Sequence, residues 1–282
     1  MSVHLPASRV ASSVYTLPAE RSLSAWERCL FLAIDRCDVD AIELALDRGA
    51  SINVFSHFEE LQAPSTDQNQ VVTFVRGGMT PLHQACLCEG ERAQDPETVF
   101  RMIRLLLDRG ADPTLVVHRV EGIDSPPLTA LDAAAMNEEP FAPDLCALLC
   151  DHGAQPTGLT VNLALTGPHF EAMLDLFFQV TPPERQADLW DQHPMDHLAS
   201  QPLDEATQSL QLARMAQLVK HGGSLTTRTK GQKLTPAQAL MQAHPLLGAQ
   251  IVKQLMPAEA TAPESTDGKA NARASSRVAR DC

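Results

Sequence analysis

Short apolar segments recur in pairs along the chain, and the clearest pairs end in the same small-residue turn. The first pair reads LFLAIDRCDVDAIELALDRGASIN, from Leu30 to Asn53. The second contains PLHQACLCEG and then MIRLLLDRGADP, and the third contains LTALDAAAMNEE and then DLCALLCDHGAQP. Each copy predicts a helix rich in small residues, a break, a Leu-rich helix and a glycine that lets the chain leave the helix.

Three weaker copies continue this pattern toward the C-terminus. The fourth, VNLALTGPHFEAMLDLFF, lacks the Thr-Pro start and the Gly-Ala ending. The fifth consists of PMDHLAS and MAQLVKHGGSL, and the sixth reads LTPAQALMQAHPLLGAQIVKQLM. Units repeated in this way bury their apolar faces against their neighbours. The pattern therefore predicts one array from Ala25 to Met256.

Two motifs in the second copy carry a family resemblance. Thr80-Pro81-Leu82-His83 with Ala85, and Leu105-Leu106-Leu107 with Gly110-Ala111-Asp112, resemble the ankyrin repeat, whose period is about 33 residues. The resemblance implies an all-α ankyrin-repeat solenoid of about six helix-turn-helix units with extended β-hairpin fingers. The expected parts are a flexible segment at 1–24, units at about 25–57, 77–113, 125–158, 159–190, 191–225 and 232–256, a long finger insertion at 54–78 and a disordered tail at 257–282.

The stretch GGMTPLHQAC raises the question of whether His83 is reactive or structural. Thr80 is a good N-cap residue, because its hydroxyl oxygen accepts from an unpaired N–H at a helix start. Pro81 suits the first helical position, where its missing N–H costs nothing. The ankyrin resemblance implies that His83 makes structural hydrogen bonds to the threonine and to neighbouring backbone. We therefore interpret this histidine as structural.

The largest departure from the repeat lies between Asn53 and Thr80 and reads VFSHFEELQAPSTDQNQVVTFVRGG. Val71–Val75 is β-branched and aromatic, which predicts a strand. We expect Val54–Phe58 to be its antiparallel partner and Pro64–Gln70 to be the tip.

A second extension, TLVVHRVEGIDSPP, contains the strand-like Leu115–Val117. The two fingers are expected to stand side by side and form a small sheet. On one interpretation they present an apolar surface with a basic edge, and on the other their apolar residues only pack finger against finger. The candidate partner-binding residues are Phe55, His57, Phe58, Phe74, Arg76, His118 and Arg119.

Composition narrows the possible ligands. The formal net charge is -13, and a broad nucleic-acid footprint requires clustered basic residues, so we expect no nucleic-acid ligand. No apolar run reaches the length needed to span a membrane, so no membrane insertion is expected. The 7 cysteines do not follow the spacing of a disulfide framework, and we interpret them as small apolar fillers in a reducing compartment.

The motifs of catalytic and metal sites are missing from the sequence. Neither a Gly-x-Ser-x-Gly elbow nor a His-Glu-x-x-His pair occurs. His83, Cys86 and Cys88 do not share one helical face, so a metal site is not expected there. Cys146 and Cys150 are expected in the core, and DQHPMDH, Asp191 to His197, is interpreted as the start of the fifth unit. We expect no enzyme activity, metal or cofactor.

The sequence therefore predicts a monomeric, non-catalytic adaptor or regulatory module of the cytoplasm. A protein partner would bind the extended fingers and the concave helix surface. All five lysines lie at or after Lys220, which fits either a GC-rich genome or a bacterial effector delivered into a host cell. Two further alternatives are an inhibitor of an enzyme and an activity within the degenerate C-terminal half.

Overall fold

The computed structural model describes residues 23–56, 59–64, 71–76, 78–88, 95–117, 127–201, 207–228 and 232–255. The chain divides into an N-terminal module that ends at Gln192 and a C-terminal module that begins at His193. The N-terminal module contains α1 (Ala25–Asp35), α2 (Val39–Asp47), α3 (Pro81–Cys86), α4 (Pro96–Asp108), α5 (Ala130–Ala135), α6 (Ala142–Asp151), α7 (Gly158–Ala164), α8 (Phe170–Val180) and a 3-10 helix (Pro183–Trp190). The C-terminal module contains α9 (Pro194–Ser200), α10 (Gln208–Lys220), α11 (Pro236–Ala243) and α12 (Pro245–Leu255).

The N-terminal module is a stack of helix pairs. The first helices form one row, in which α1 packs on α3, α3 on α5 and α5 on α7. The second helices follow the same order, with α2 on α4 and α6 on α8, while the 3-10 helix packs on α7. Aliphatic side chains and several phenylalanines form the buried core of this module. The largest buried ones include Leu30, Ile34, Ile42, Leu82, Met102, Ile103, Leu106, Leu131, Leu145, Leu149 and Phe177.

The C-terminal module contains two helix pairs. Helix α9 packs against α10 and α11, and α12 packs against α10 and α11. Leu198, Met215, Leu218, Leu240 and Ile251 are almost completely buried in this module.

Hydroxyl caps fix the start of the first helix in five of the six described pairs. The side-chain oxygen of the cap residue accepts from the backbone N–H three residues further on, which satisfies a donor that has no partner inside the helix. These residues are Ser24, Thr80, Thr129, Thr157 and Thr235. α9 is the described exception, because its N-cap residue His193 makes no capping hydrogen bond.

A glycine closes the second helix in four of these pairs. Gly110, with φ +91°, follows α4; its N–H donates to the Leu107 carbonyl, and the Ala111 N–H donates to the Leu106 carbonyl. This is the Schellman arrangement, which needs a left-handed residue and so favours glycine. The same bonds and a positive φ recur at Gly49, Gly153 and Gly222. The fourth pair differs, because α8 ends without such a glycine and leads into the 3-10 helix.

A β-hairpin projects between the first and second helix pairs. Strand β1 (Glu59–Pro64) pairs antiparallel with β2 (Val71–Arg76). The strand predicted at Val71–Val75 is therefore present, but the predicted partner Val54–Phe58 is wrong. The turn of a hairpin sets which residues pair. Here the residues that pair with β2 are Glu59–Pro64 and not Val54–Phe58. Strand β1 contains Glu, Ala and Pro, which are uncommon in strands, so its composition did not predict a strand.

The second finger has less regular structure than predicted. Val117 and Leu128 form a single antiparallel bridge, while the Leu115 N–H turns back to the Asp112 carbonyl. A strand over Leu115–Val117 is therefore wrong, apart from the bridge at Val117. Within the described ranges, β1 and β2 pair only with each other, so the expected sheet between the fingers is not seen there. The tip predicted at Pro64–Gln70 lies outside the described residues beyond Pro64.

Candidate functional site

His83 uses both ring nitrogens to join two helix pairs. Its Nδ1 lies 2.7 Å from the Thr80 hydroxyl, and its Nε2 lies 3.2 Å from the carbonyl of Leu128, just before α5. A carbonyl only accepts, so Nε2 carries the proton and Nδ1 accepts from the Thr80 hydroxyl. That hydroxyl oxygen also accepts from the His83 N–H. The structural interpretation of His83 is therefore confirmed.

Burial also makes His83 a poor acid or base at neutral pH. Only 2% of the residue is exposed, and this desolvation lowers the pKa of His83 to about 4, although hydrogen bonds to backbone of Leu128 and Leu115 oppose the shift. The nearby Cys86 is completely buried, which raises the pKa of its thiol. The pair is therefore unsuited to nucleophilic chemistry at neutral pH.

The third and fourth helix pairs use other residues at the position of His83. Asp132 stands three residues after the cap Thr129 and accepts from its backbone N–H and its hydroxyl, both at 2.8 Å. The other carboxylate oxygen accepts from the hydroxyl of Thr160 at 2.6 Å, and Thr160 stands three residues after Thr157. Asp132 and Thr160 are both buried. This link was not predicted, although Asp132 and Thr160 stand at the same distance from their capping threonines as His83 does from Thr80.

Asn137 forms a second buried link between neighbouring helix pairs. Its amide nitrogen lies 3.2 Å from the carbonyl oxygen of Cys86 and 3.1 Å from that of Cys88, so one side chain satisfies both ends of the turn after α3. Its oxygen accepts from the Glu139 N–H. No sequence signal marked Asn137, because its partners lie about 50 residues away in the chain.

The base of the β-hairpin is fastened to the repeats. The Ser56 N–H donates to the Met79 carbonyl at 2.8 Å, and the Gly78 N–H donates to the Ser56 carbonyl at 3.1 Å. The Ser56 hydroxyl accepts from the Met79 N–H. These hydrogen bonds thus hold together the two segments that connect the hairpin to the helices.

Asn53 joins this first finger to the next repeat. Its amide nitrogen donates to the Gly110 carbonyl at 3.1 Å, and its oxygen accepts from the Asp112 N–H at 2.9 Å. The Asp112 carboxylate in turn accepts from the backbone and hydroxyl of Thr114. Hydrogen bonds of the Asn53 side-chain amide therefore join the turns after α2 and α4.

The structure places three of the predicted partner-binding residues on the first finger. Phe55 is half-buried before β1, while Phe74 and Arg76 lie in β2, in register with Leu61 and Glu59. The other four, His57, Phe58, His118 and Arg119, lie outside the described residues.

The remaining candidate residues take structural positions. Cys146 is buried in α6, and burial raises the pKa of both Cys146 and Cys150, the latter to about 12. Pro194 opens α9 as expected, with His193 as its N-cap residue. Within the described ranges, no group of three His, Cys, Asp or Glu residues has the arrangement to hold a metal ion.

Stacked pairs of short helices, capped by threonines and separated by projecting loops, define a helical-repeat protein. The family model of the ankyrin repeat matches residues 77–117, which contain α3, α4 and the turn to Val117. This part of the chain is therefore an ankyrin repeat. Ankyrin repeats are protein–protein interaction modules and are typically non-catalytic. No curated protein matches the sequence. No described helix has both the length and the apolar character to cross a membrane.

Proposed function

We propose that this chain is a non-catalytic adaptor or regulatory module that holds a protein partner on the hairpin β1–β2. The observation that carries the proposal is the fastening of the hairpin base, where Ser56 bonds to Gly78 and Met79. A projecting segment fixed in this way loses little conformational freedom on binding, and such pre-organisation increases affinity.

The register of the hairpin favours one face for the contact. Residues opposite each other across an antiparallel ladder lie on the same face. The pairing of Leu61 with Phe74 and of Ala63 with Val72 therefore groups apolar residues on one face. The other face carries the pairs Glu60 with Val75, Gln62 with Thr73 and Pro64 with Val71, so polar and apolar residues are mixed there and no aromatic residue is present. A few well-buried anchor residues contribute most of the energy of protein interfaces, and the large apolar pair Leu61 and Phe74 makes its face the proposed contact.

Phe55 and Arg76 extend this contact toward the helices. Arg76 is in register with Glu59 at the end of the ladder nearest the repeats, and Phe55 precedes the strand. His57, Phe58, His118 and Arg119 complete the proposed contact set, and the concave helix surface would hold the rest of the partner. The proposed setting is a cytoplasmic monomer.

A second candidate function is inhibition of a basic enzyme, either in the same cell or as an effector in a host cell. The net charge of -13 favours it, because complementary charge speeds association and makes it sensitive to salt. Binding that weakens steeply with added salt supports the inhibitor, whereas salt-insensitive binding through the hairpin supports the adaptor.

The test compares two double variants of the full chain as baits in a lysate of the source cells. Leu61→Ser with Phe74→Ser changes the apolar face, and Gln62→Ser with Thr73→Ser is the matched control on the other face. We expect the first variant to lose a protein that both the wild type and the control retain, by at least about tenfold, as for the loss of two anchors. Circular dichroism checks that all three proteins are equally helical. Equal retention by both variants would reject the hairpin as the binding element.

A further inference from the structure

Two cysteines from different helix pairs meet in the N-terminal module. The sulfur atoms of Cys37 and Cys88 lie 3.1 Å apart, although the residues are 51 positions apart in the chain. Cys37 follows the end of α1 by two residues, and Cys88 follows the end of α3 by two residues. The two sulfur atoms thus meet between equivalent turns of two consecutive helix pairs.

The backbone holds both cysteines in this position. Cys37 has φ +51°, a left-handed conformation that is uncommon for residues other than glycine, and its N–H donates to the Ile34 carbonyl. The Cys88 N–H donates to the Ala85 carbonyl, and its own carbonyl accepts from the buried Asn137. Both cysteines are therefore held by hydrogen bonds of their backbone.

We propose that Cys37 and Cys88 form a reversible disulfide when the chain meets a low-molecular-weight disulfide such as oxidised glutathione. A disulfide bond is about 2.05 Å long, so the two sulfurs must approach by about 1 Å. This movement is small enough for side-chain rotation with slight adjustment of one turn.

The reaction proceeds by two thiol–disulfide exchanges. Cys37 is partly exposed and Cys88 is only 6% exposed, so the Cys37 thiolate meets the oxidant. It attacks one glutathione sulfur, the glutathione disulfide bond breaks, and one glutathione thiolate leaves. The Cys88 thiolate then attacks the Cys37 sulfur of the mixed disulfide and displaces the second glutathione. The two cysteines lose two electrons and two protons, and oxidised glutathione becomes two reduced molecules.

Among the described cysteines, Cys37 and Cys88 are the two whose sulfur atoms meet across helix pairs. Cys86 and Cys146 are completely buried, which shields them from a bulky oxidant. Cys29 is exposed and serves as the control for oxidation by exposure alone.

Oxidation would join the two helix pairs that carry the hairpin. The closed loop includes β1 and β2, since both strands lie between Cys37 and Cys88. A disulfide stabilises a protein mainly by restricting the unfolded chain, and more so for long loops. The proposal does not depend on what the hairpin binds.

The test equilibrates the folded full chain with oxidised and reduced glutathione at several ratios, alkylates the remaining thiols and identifies linked peptides by mass spectrometry. We expect a Cys37–Cys88 linked peptide that increases with the oxidised fraction, is reversed by dithiothreitol and disappears in urea at the same ratio. The oxidised chain should also unfold at a temperature higher by roughly 5 °C or more.

Variants locate the two steps. Cys88→Ser should accumulate a glutathione adduct on Cys37, whereas Cys29→Ser should form the linked peptide as the wild type does. In the wild type, a glutathione adduct on Cys37 beside alkylated Cys88 at every ratio would overturn the proposal. So would full alkylation of both cysteines under the most oxidising condition.

Discussion

At the scale of single residues, His83 and Thr80 form one hydrogen-bonded unit that depends on a neutral imidazole. Nδ1 accepts from the Thr80 hydroxyl while Nε2 donates to the Leu128 carbonyl. Protonation of Nδ1 would place two hydrogens between that nitrogen and the Thr80 oxygen. The Thr80 hydroxyl would then have to turn away inside a buried site, so acid should weaken the contact.

This arrangement predicts a specific loss of stability in acid. The folded pKa of His83 is lowered from 6.5 to about 4, so between these values the unfolded chain binds the proton more readily. The stabilisation of the fold by neutral His83 is complete above pH 6.5 and is lost as the pH falls toward 4. Between pH 7.5 and 5 the loss should be about 2 kcal/mol. Urea unfolding of the wild type and of His83→Gln at both pH values measures it.

The difference between the two proteins isolates His83, because every other titrating group is common to both. The wild type should lose about 2 kcal/mol more than the variant on acidification. An equal loss in both proteins would show that His83 is not held neutral by the fold.

Residue-scale features were predictable when their signal was local. Thr80, Pro81 and Gly110 follow rules for helix ends that act within a few residues, and these predictions are confirmed. Asn137 and the Cys37–Cys88 contact were not predictable, because their partners are about 50 residues away and no alternation in the sequence points to them.

At the scale of elements, the hairpin shows what composition reveals about strands. Strand β2 is rich in valine and was predicted, while β1 begins with two glutamates and was not. Pairing with β2 supplies the hydrogen bonds that the weak strand propensity of β1 does not favour. The Glu59-to-Arg76 and Leu61-to-Phe74 register is a property of the pair, not of either segment.

Gly158 marks a close approach between two elements. It stands where the second repeat has Pro81, directly after a capping threonine. A Cβ atom at this position would lie 2.8 Å from the backbone nitrogen of Gln192, just after the 3-10 helix. The fourth pair thus departs from Thr-Pro because backbone packs against its first turn.

Replacing Gly158 with alanine should therefore destabilise the chain. The new methyl group must displace backbone, which costs about 1–3 kcal/mol, although alanine normally stabilises a helix relative to glycine. Gly167→Ala is the matched control, because its Cβ would meet its nearest atom, the Ala164 carbonyl oxygen, at 3.7 Å. Thermal and urea unfolding compare the two variants. A Gly158→Ala protein as stable as the Gly167→Ala protein would contradict the close packing.

At the scale of the whole molecule, each helix pair of the N-terminal module contacts the next pair in the sequence. Contacts of this kind make stability a sum of repeat and interface terms. The 3-10 helix covers α7 with the buried Leu189, and Trp190 contacts Phe178 of α8 with ring centroids 5.3 Å apart. The module therefore has a packed end of its own at Gln192.

A fragment of residues 23–192 is expected to fold by itself. Its circular dichroism should show helices, and its thermal unfolding should be cooperative, because its helices find their described partners within the fragment. A fragment without a cooperative transition would show that the N-terminal module requires the rest of the chain.

The repeat pattern was the most predictable property at this scale. The three strong copies correspond to the pairs α1–α2, α3–α4 and α5–α6, because stacked units impose the same burial on each copy. The 3-10 helix was not predicted, since PERQADLW has neither the apolar period nor the capping residues of a repeat helix.

Site-specific photo-crosslinking from the hairpin tests most directly whether the hairpin binds the partner. A benzoyl-phenylalanine replaces Phe74 in one protein and the exposed Gln179 of α8 in a control protein. Irradiation in a lysate of the source cells is followed by identification of the linked proteins. We expect one partner to be joined at position 74 and to be absent at position 179. A partner joined at position 179 and not at 74, or at both positions equally, would contradict recognition through the hairpin.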